Sequence, residues 1–241
     1  MNILQRSEDW FADRVGKVTA SRVKDLNAKP AKGKALNALG LTILAERLTG
    51  IQKEIPTNFY MQWGIDNEPH AIAAYENETG NFVVGTGLID HPFVEMFGAS
   101  PDGLVDKDGQ VEVKCPDTTT HLNTLLTKQV PDEYIPQITS QLSCTRRQWC
   151  DFVSYDPRLK PELQIIVIRV FAKDLDITGM ESDVRAFNKK INEAIARINS
   201  TSDVAELGII YTQFKGTDCE AEIVSACGNR KQAIQSTHGK A

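Results

Sequence analysis

Residues 98–116 read Gly98-Ala99-Ser100-Pro101-Asp102-Gly103-Leu104-Val105-Asp106-Lys107-Asp108-Gly109-Gln110-Val111-Glu112-Val113-Lys114-Cys115-Pro116, and their alternation decides the fold. Asp106 suits the first position of a type I turn, and Gly109 suits the positive φ that follows such a turn. The spacing predicts a three-residue hairpin loop with a glycine bulge. In that register Asp106 faces Gln110, Leu104 faces Glu112 and Asp102 faces Lys114. Side chains alternate along a strand, so Asp102, Glu112 and Lys114 share one face while Val111 and Val113 turn toward a core. A slip of one residue would part Asp102 from the other two.

Two carboxylates and an ammonium gathered on a sheet face are costly to bury without compensation, and a divalent cation is the natural partner. Oxygen-only ligands favour magnesium or manganese over zinc. Such a site suits phosphodiester hydrolysis: Asp102, Glu112 and the Val113 backbone carbonyl hold the ion, and water held by it is the nucleophile. Lys114 then orients or helps deprotonate that water and offsets transition-state charge. From spacing alone, a solvated surface hairpin stands beside this reading.

Pro101-Asp102, nine intervening residues and Glu112-Val113-Lys114 match the PD-(D/E)xK nuclease signature. The strings Ser100-Pro101-Asp102-Gly103-Leu104 and Glu112-Val113-Lys114-Cys115-Pro116 resemble the phage lambda-type exonucleases, the YqaJ-like viral recombinase group. So does the run from Trp10 to Ser21, where the family's matching arginine and serine hold a terminal 5′-phosphate. The resemblance therefore gives that role to Arg14 and Ser21. Independently, arginine contacts phosphate bidentately, and a hydroxyl with free amides at a helix start is an anion site. A further phosphate-contacting arginine of the family is replaced here by Ala31, and Lys32 is the candidate substitute. Trp63-Gly64-Ile65-Asp66-Asn67-Glu68 resembles the family's tryptophan-glycine segment, which makes Glu68 a third carboxylate, binding a second ion or a metal-bound water. Gln137 aligns with the glutamine of the fourth motif and would position water or a phosphate oxygen. His70, beside Glu68, reads as an ordinary helix histidine.

The 241-residue chain is 41% apolar and 24% charged, which describes a soluble globular protein with a sizeable core. It has no run of about 18 apolar residues and no apolar signal core at its start, so a cytoplasmic protein, by resemblance in a bacterial host cell, is expected. Five cysteines without Cys-x-x-Cys spacing argue against a disulfide framework or structural zinc. A net charge of −5 does not advertise nucleic-acid binding, yet residues 1–40 carry eight basic groups against four acidic ones.

Along the chain, Ser7 reads as the cap of a short helix stopped by Gly16, and Thr19 or Ser21 starts another. Residues 35–49 form an amphipathic helix ended by Gly50, and 57–79 a helical stretch ended by Gly80 with a kink or restart at Pro69. Short strands follow from Phe82 to Phe97, then the hairpin, a helix after Asp117, a helix from Tyr134 with Pro136 near its start, and strands over 149–155 and 163–171. Ser182 caps a last helix to about Asn199. The order predicts an α/β fold with a mixed central β-sheet flanked by helices, a restriction-endonuclease-like PD-(D/E)xK core. Residues 1–199 are expected as the nuclease domain and 200–241 as a C-terminal appendage that contacts a subunit or partner or is loosely ordered.

The resemblance, over residues 7–198, implies a magnesium-dependent 5′→3′ exonuclease, with manganese as substitute and one or two ions per site. It would act on linear double-stranded DNA from a 5′-phosphorylated end and leave a 3′ single strand for phage-type recombination. A homotrimeric ring and a single-strand annealing protein are the implied partners. An endonuclease or structure-specific nuclease on the same core, and a non-catalytic DNA-end-binding module, are the competing readings.

Overall fold

The computed structural model describes residues 5–52, 56–200, 204–215 and 220–238. Helix α1 (Glu8–Asp13) is capped by Ser7, whose Oγ accepts from the Trp10 amide at 3.2 Å. Strand β1 (Val18–Thr19) leads into a 3-10 turn (Ala20–Asp25), and α2 (Ala38–Thr49) follows with Asn37 as its cap. Helix α3 (Phe59–Thr79) ends, like α2, on a glycine in the left-handed region, Gly80 at φ +72° after Gly50 at +73°. The helix runs through Pro69 without the expected break. Its Ala71 and Tyr75 are fully buried against a sheet, and this packing outweighs the one ladder hydrogen bond that proline cannot make.

Strands β2 (Val83–Val84), β3 (Ile89–Asp90), β4 (Phe97–Ala99), β5 (Gly103–Val105) and β6 (Gly109–Lys114) come next. After them come α4 (Thr118–Thr127), α5 (Ile135–Thr145), β7 (Trp149–Tyr155), β8 (Ile165–Phe171) and α6 (Ile177–Ser200). The expected mixed sheet has the order β2-β5-β6-β7-β8, with β6 and β7 parallel and the other neighbours antiparallel. A second sheet, β1-β4-β3, pairs β1 parallel to β4.

Alternation along β6 and β7 sorts the large sheet into two faces. Val111, Val113, Val153 and Tyr155 pack with Ala71 and Tyr75 of α3. Cys150 and Phe152 pack with Ile138 and Leu142 of α5 on the other side. The sheet is thus a layer between α3 and α5. Ser182 lies inside α6 rather than capping it, because the helix begins five residues earlier.

The stretch expected as an appendage contributes α7 (Val204–Phe214) and α8 (Glu220–His238). Leu207, Ile210, Phe214, Ile223, Cys227 and Ile234 are buried in one cluster with Ile43 and Leu44 of α2 and Ile191 of α6. Cys115, Cys144, Cys150 and Cys227 are free thiols, and Cys219 lies outside the described residues. No described helix is long and apolar enough to cross a membrane.

Candidate active site

The hairpin pairs Gly103 with Val111, Leu104 with Gln110 and Val105 with Gly109. The expected register placed Leu104 opposite Glu112, so the pairing is displaced by two residues. Two is the strand period, which is why the predicted face survives and Asp102, Glu112 and Lys114 remain on one side. The turn chemistry differs too. Asp106, not Gly109, carries the positive φ, +47°. Gly109 is needed for another reason: a Cβ there would lie 2.0 Å from the Trp149 ring of the parallel neighbour. The Arg147 guanidinium binds the carbonyls of Val105, Asp106 and Gly109 at 3.1, 3.0 and 2.6 Å and clamps the turn.

Glu112 is 1% exposed and is ringed by donors. Lys114 Nζ and Gln137 Nε2 both donate to its Oε1, the latter at 2.6 Å, and Gln141 Nε2 donates to its Oε2 at 2.5 Å. Asp102 lies just before β5, where its amide donates to the Val111 carbonyl and its Oδ2 accepts from the Val113 amide at 2.7 Å. Burial, with the charges of Glu112 and Glu68, holds the Asp102 carboxyl well above the usual range, while Lys114 and the Val113 amide pull the other way. Burial also disfavours the Lys114 ammonium, but Glu112 and Asp102 more than offset this and raise its pKa. The Tyr134 ring lies 5.3 Å from Lys114 Nζ and stacks on Phe152.

Glu68 comes from α3 and is held by Arg6 at 2.5 Å. Its charge also bears on the Cys115 thiol, which burial, Glu68 and Asp102 push up to about 12. Among the described residues the acids Asp102, Glu112 and Glu68 meet two cations, Lys114 and Arg6, so the set, fully ionised, would carry spare negative charge. Hard oxygen ligands with an excess negative charge fit a divalent cation of the magnesium type. Among the described residues no three His, Cys, Asp or Glu side chains converge as a ready-made cage. An ion here would be held by two carboxylates and completed by water and backbone oxygen, a donor set that suits magnesium.

The Arg14 guanidinium lies 4.1 Å over the Trp10 ring and donates to Thr19 Oγ1 at 3.2 Å and Ser21 Oγ at 3.3 Å. Its pKa is lowered to about 10, first by burial and then by Arg22, against the pull of Glu46. Buried Glu46 takes both ends of Arg22 at 2.9 and 2.8 Å and accepts from the Gly16 amide at 2.9 Å. Gly16 sits at φ +69°, a conformation that a larger residue would strain. Trp10 Nε1 donates to Ser100 Oγ at 3.0 Å and Gln5 Nε2 to the Pro101 carbonyl at 2.7 Å, tying this segment to the hairpin.

A cleft lined by Ala20, Ser21, Lys24, Glu133, Tyr134 and Gln137 joins the two clusters. Lys32 is exposed, and no described contact links it to Arg14 or Ser21; His70 is likewise exposed. Gln141 and Arg6 were not foreseen, and Thr19 was read only as a helix start. Only Gln141 left a signal, because it stands four residues after Gln137 and so on the same helix face.

A profile of the YqaJ-like viral recombinase domain matches residues 9–148. No curated protein matches the chain. Two crystal structures of LHK-Exo, described as an alkaline exonuclease from Laribacter hongkongensis and solved once in complex with dAMP, share 46% identity. They match at TM-score 0.74 over 80% of this chain and 96% of theirs. A phage related exonuclease from Haemophilus somnus shares the fold at TM-score 0.59 and 16% identity, over 76% of this chain and 96% of its own. With the profile spanning more than half of the residues and a relative at 46% identity matched over nearly its whole length, the chain belongs to the YqaJ-like viral recombinase family.

Proposed function

We propose that the chain degrades one strand of linear double-stranded DNA in the 5′→3′ direction from a 5′-phosphorylated end, using magnesium or manganese. The product is a 3′ single strand fit for recombination by strand annealing. The likeness to an alkaline exonuclease supports a DNA exonuclease as the general class. The observation that carries the rest is the convergence of Asp102, Glu112, Lys114 and Gln137, the last of which lines a cleft together with Ser21.

In this reading Asp102, Glu112 and the Val113 carbonyl hold one ion, and Glu68 serves a second ion or a water on the first. When bound, the ion activates water and neutralises charge on phosphate oxygens. Lys114, fixed beside Glu112 and over Tyr134, orients the attacking water and offsets charge as the phosphorus gains an oxygen. Gln137 holds Glu112 Oε1 and faces the cleft, where it steers the scissile phosphate. Arg14 and Ser21 seat the terminal 5′-phosphate, a planar cation and a hydroxyl suiting a tetrahedral anion, while the buried Thr19 hydroxyl holds the guanidinium in place. Contacts to phosphate rather than base edges make the cutting indifferent to sequence. Family likeness also motivates a homotrimer and a single-strand annealing partner.

Linear duplex labelled separately at each 5′ and 3′ end, digested with and without magnesium, tests the reading. Early release of the 5′ label, only with magnesium and only from phosphorylated ends, is expected. Early 3′ release, or cutting of covalently closed circles, would overturn it.

A further inference from the structure

Behind Glu112 the structure carries a chain of buried polar groups that the reaction as described does not use. Gln141 Nε2 donates to Glu112 Oε2 at 2.5 Å, Gln110 Nε2 donates to Gln141 Oε1 at 3.4 Å, and Thr145 Oγ1 donates to Gln110 Oε1 at 2.8 Å. Gln110 and Gln141 are both 0% exposed. Burying two primary amides in an otherwise apolar layer of Ile138, Leu142, Cys150 and Phe152 is costly unless every group is satisfied.

The order of the chain is dictated by its end. An ionised carboxylate only accepts, so Gln141 must turn its NH2 toward Glu112 and its oxygen toward Gln110. Gln110 must then present its own NH2 to Gln141 and its oxygen to the Thr145 hydroxyl, which has a proton to give. All three links have this polarity. Thr145 also accepts from the Arg147 amide at 3.3 Å, and Arg147 is the residue that clamps the hairpin turn. One helix, α5, therefore holds the carboxylate from behind, through Gln141, and from the cleft side, through Gln137.

We propose that Gln141, backed by Gln110 and Thr145, is a positioning residue: it fixes the rotation of the Glu112 carboxylate so that Oε1 faces the cleft and the ion. It touches neither DNA nor ion and acts through Glu112 alone. This role rests on the nuclease reading, so the test needs one readout independent of cleavage.

Gln141→Met keeps the volume and removes the donor; Thr145→Val removes only the far hydroxyl and leaves the two amides in place. For each full-length variant, kcat and KM on 5′-phosphorylated duplex, manganese binding by calorimetry without DNA, and the melting temperature are measured. Loss of such an outer contact typically costs about 10- to 100-fold in metal affinity or activity. Gln141→Met is expected to lose that much in kcat and to weaken manganese binding, with KM within about twofold, and Thr145→Val to move both in the same direction by about two- to fivefold. Unchanged kcat and manganese affinity in both variants overturns the proposal. So does a fall in melting temperature with normal manganese binding, which would make the chain a packing feature only. A wild-type protein that binds manganese but cuts no DNA refutes the nuclease reading, while the calorimetric comparison still decides the role of Gln141.

Discussion

The two sheets each flank one half of the candidate site, and they hold it in opposite ways. On the five-stranded sheet Glu112 is 1% exposed and takes three side-chain donors, two of them from α5. Beside the three-stranded sheet the Arg14 cluster is open on one side: Thr19 is buried and Arg14 partly so, but Ser21 is exposed, and Arg14 has two hydroxyls and an aromatic face as partners. The difference matches what each half does in the proposed function. Carboxylates packed together are stable only when neighbours supply donors and charge, so their geometry is locked in the folded protein. On the proposed function, a seat for a terminal phosphate would have to stay accessible, and the incoming anion would pair with the Arg14 guanidinium.

That contrast is breakable by experiment. The largest effect is expected in the locked half: Lys114→Ala should cut kcat by about 10²- to 10⁴-fold while leaving binding to duplex ends intact, as measured by single-turnover cleavage and by end-binding titration. Turnover near wild type would remove Lys114 from the reaction. The open half should respond more moderately and selectively. Charged hydrogen bonds are worth about 1.5–3 kcal/mol, so Arg14→Ala should lower the preference for 5′-phosphorylated over 5′-hydroxyl ends by roughly 10- to 100-fold. Equal loss on both kinds of end contradicts the phosphate seat.

The smallest effect concerns the support of the open half. After β3, the buried His91 accepts the Phe93 and Val94 amides on Nδ1, at 3.0 and 2.8 Å, and turns Nε2 to Ser143, Glu181 and Arg146. Burial above all lowers its pKa from 6.5; Arg146 and Arg185 add to this and Glu181 opposes it. The folded protein thus resists a proton that the unfolded chain accepts. Its contribution to stability is intact above about pH 6.5 and is lost as pH falls from there through the folded-state pKa. His91→Asn, which keeps an acceptor for the amides, should flatten that acid limb in urea titrations. An unchanged limb would place the sensitivity elsewhere.

Much of the geometry around the candidate site was legible in the sequence. Period-2 alternation put Asp102, Glu112 and Lys114 on one face, and Gly50 and Gly80 ended their helices where a left-handed residue was required. Gln137 was singled out through family likeness, and it reaches Glu112 directly. Ser182 misled because a serine inside a helix looks the same in sequence as one at its cap. Arg6, which holds Glu68, gave no signal at all, because 62 residues separate the two.

The sequence by itself determined what is local: the alternation of the hairpin, the helix stops, and the residue types able to carry the chemistry. Only the tertiary structure decided which groups meet. The register was settled by Trp149 lying over Gly109 and Arg147 gripping the turn, and the orientation of Glu112 by two glutamines of α5. Local patterns follow from the geometry of consecutive residues, whereas these contacts come from strands and helices far apart in the chain and exist only once the sheet is layered against α5.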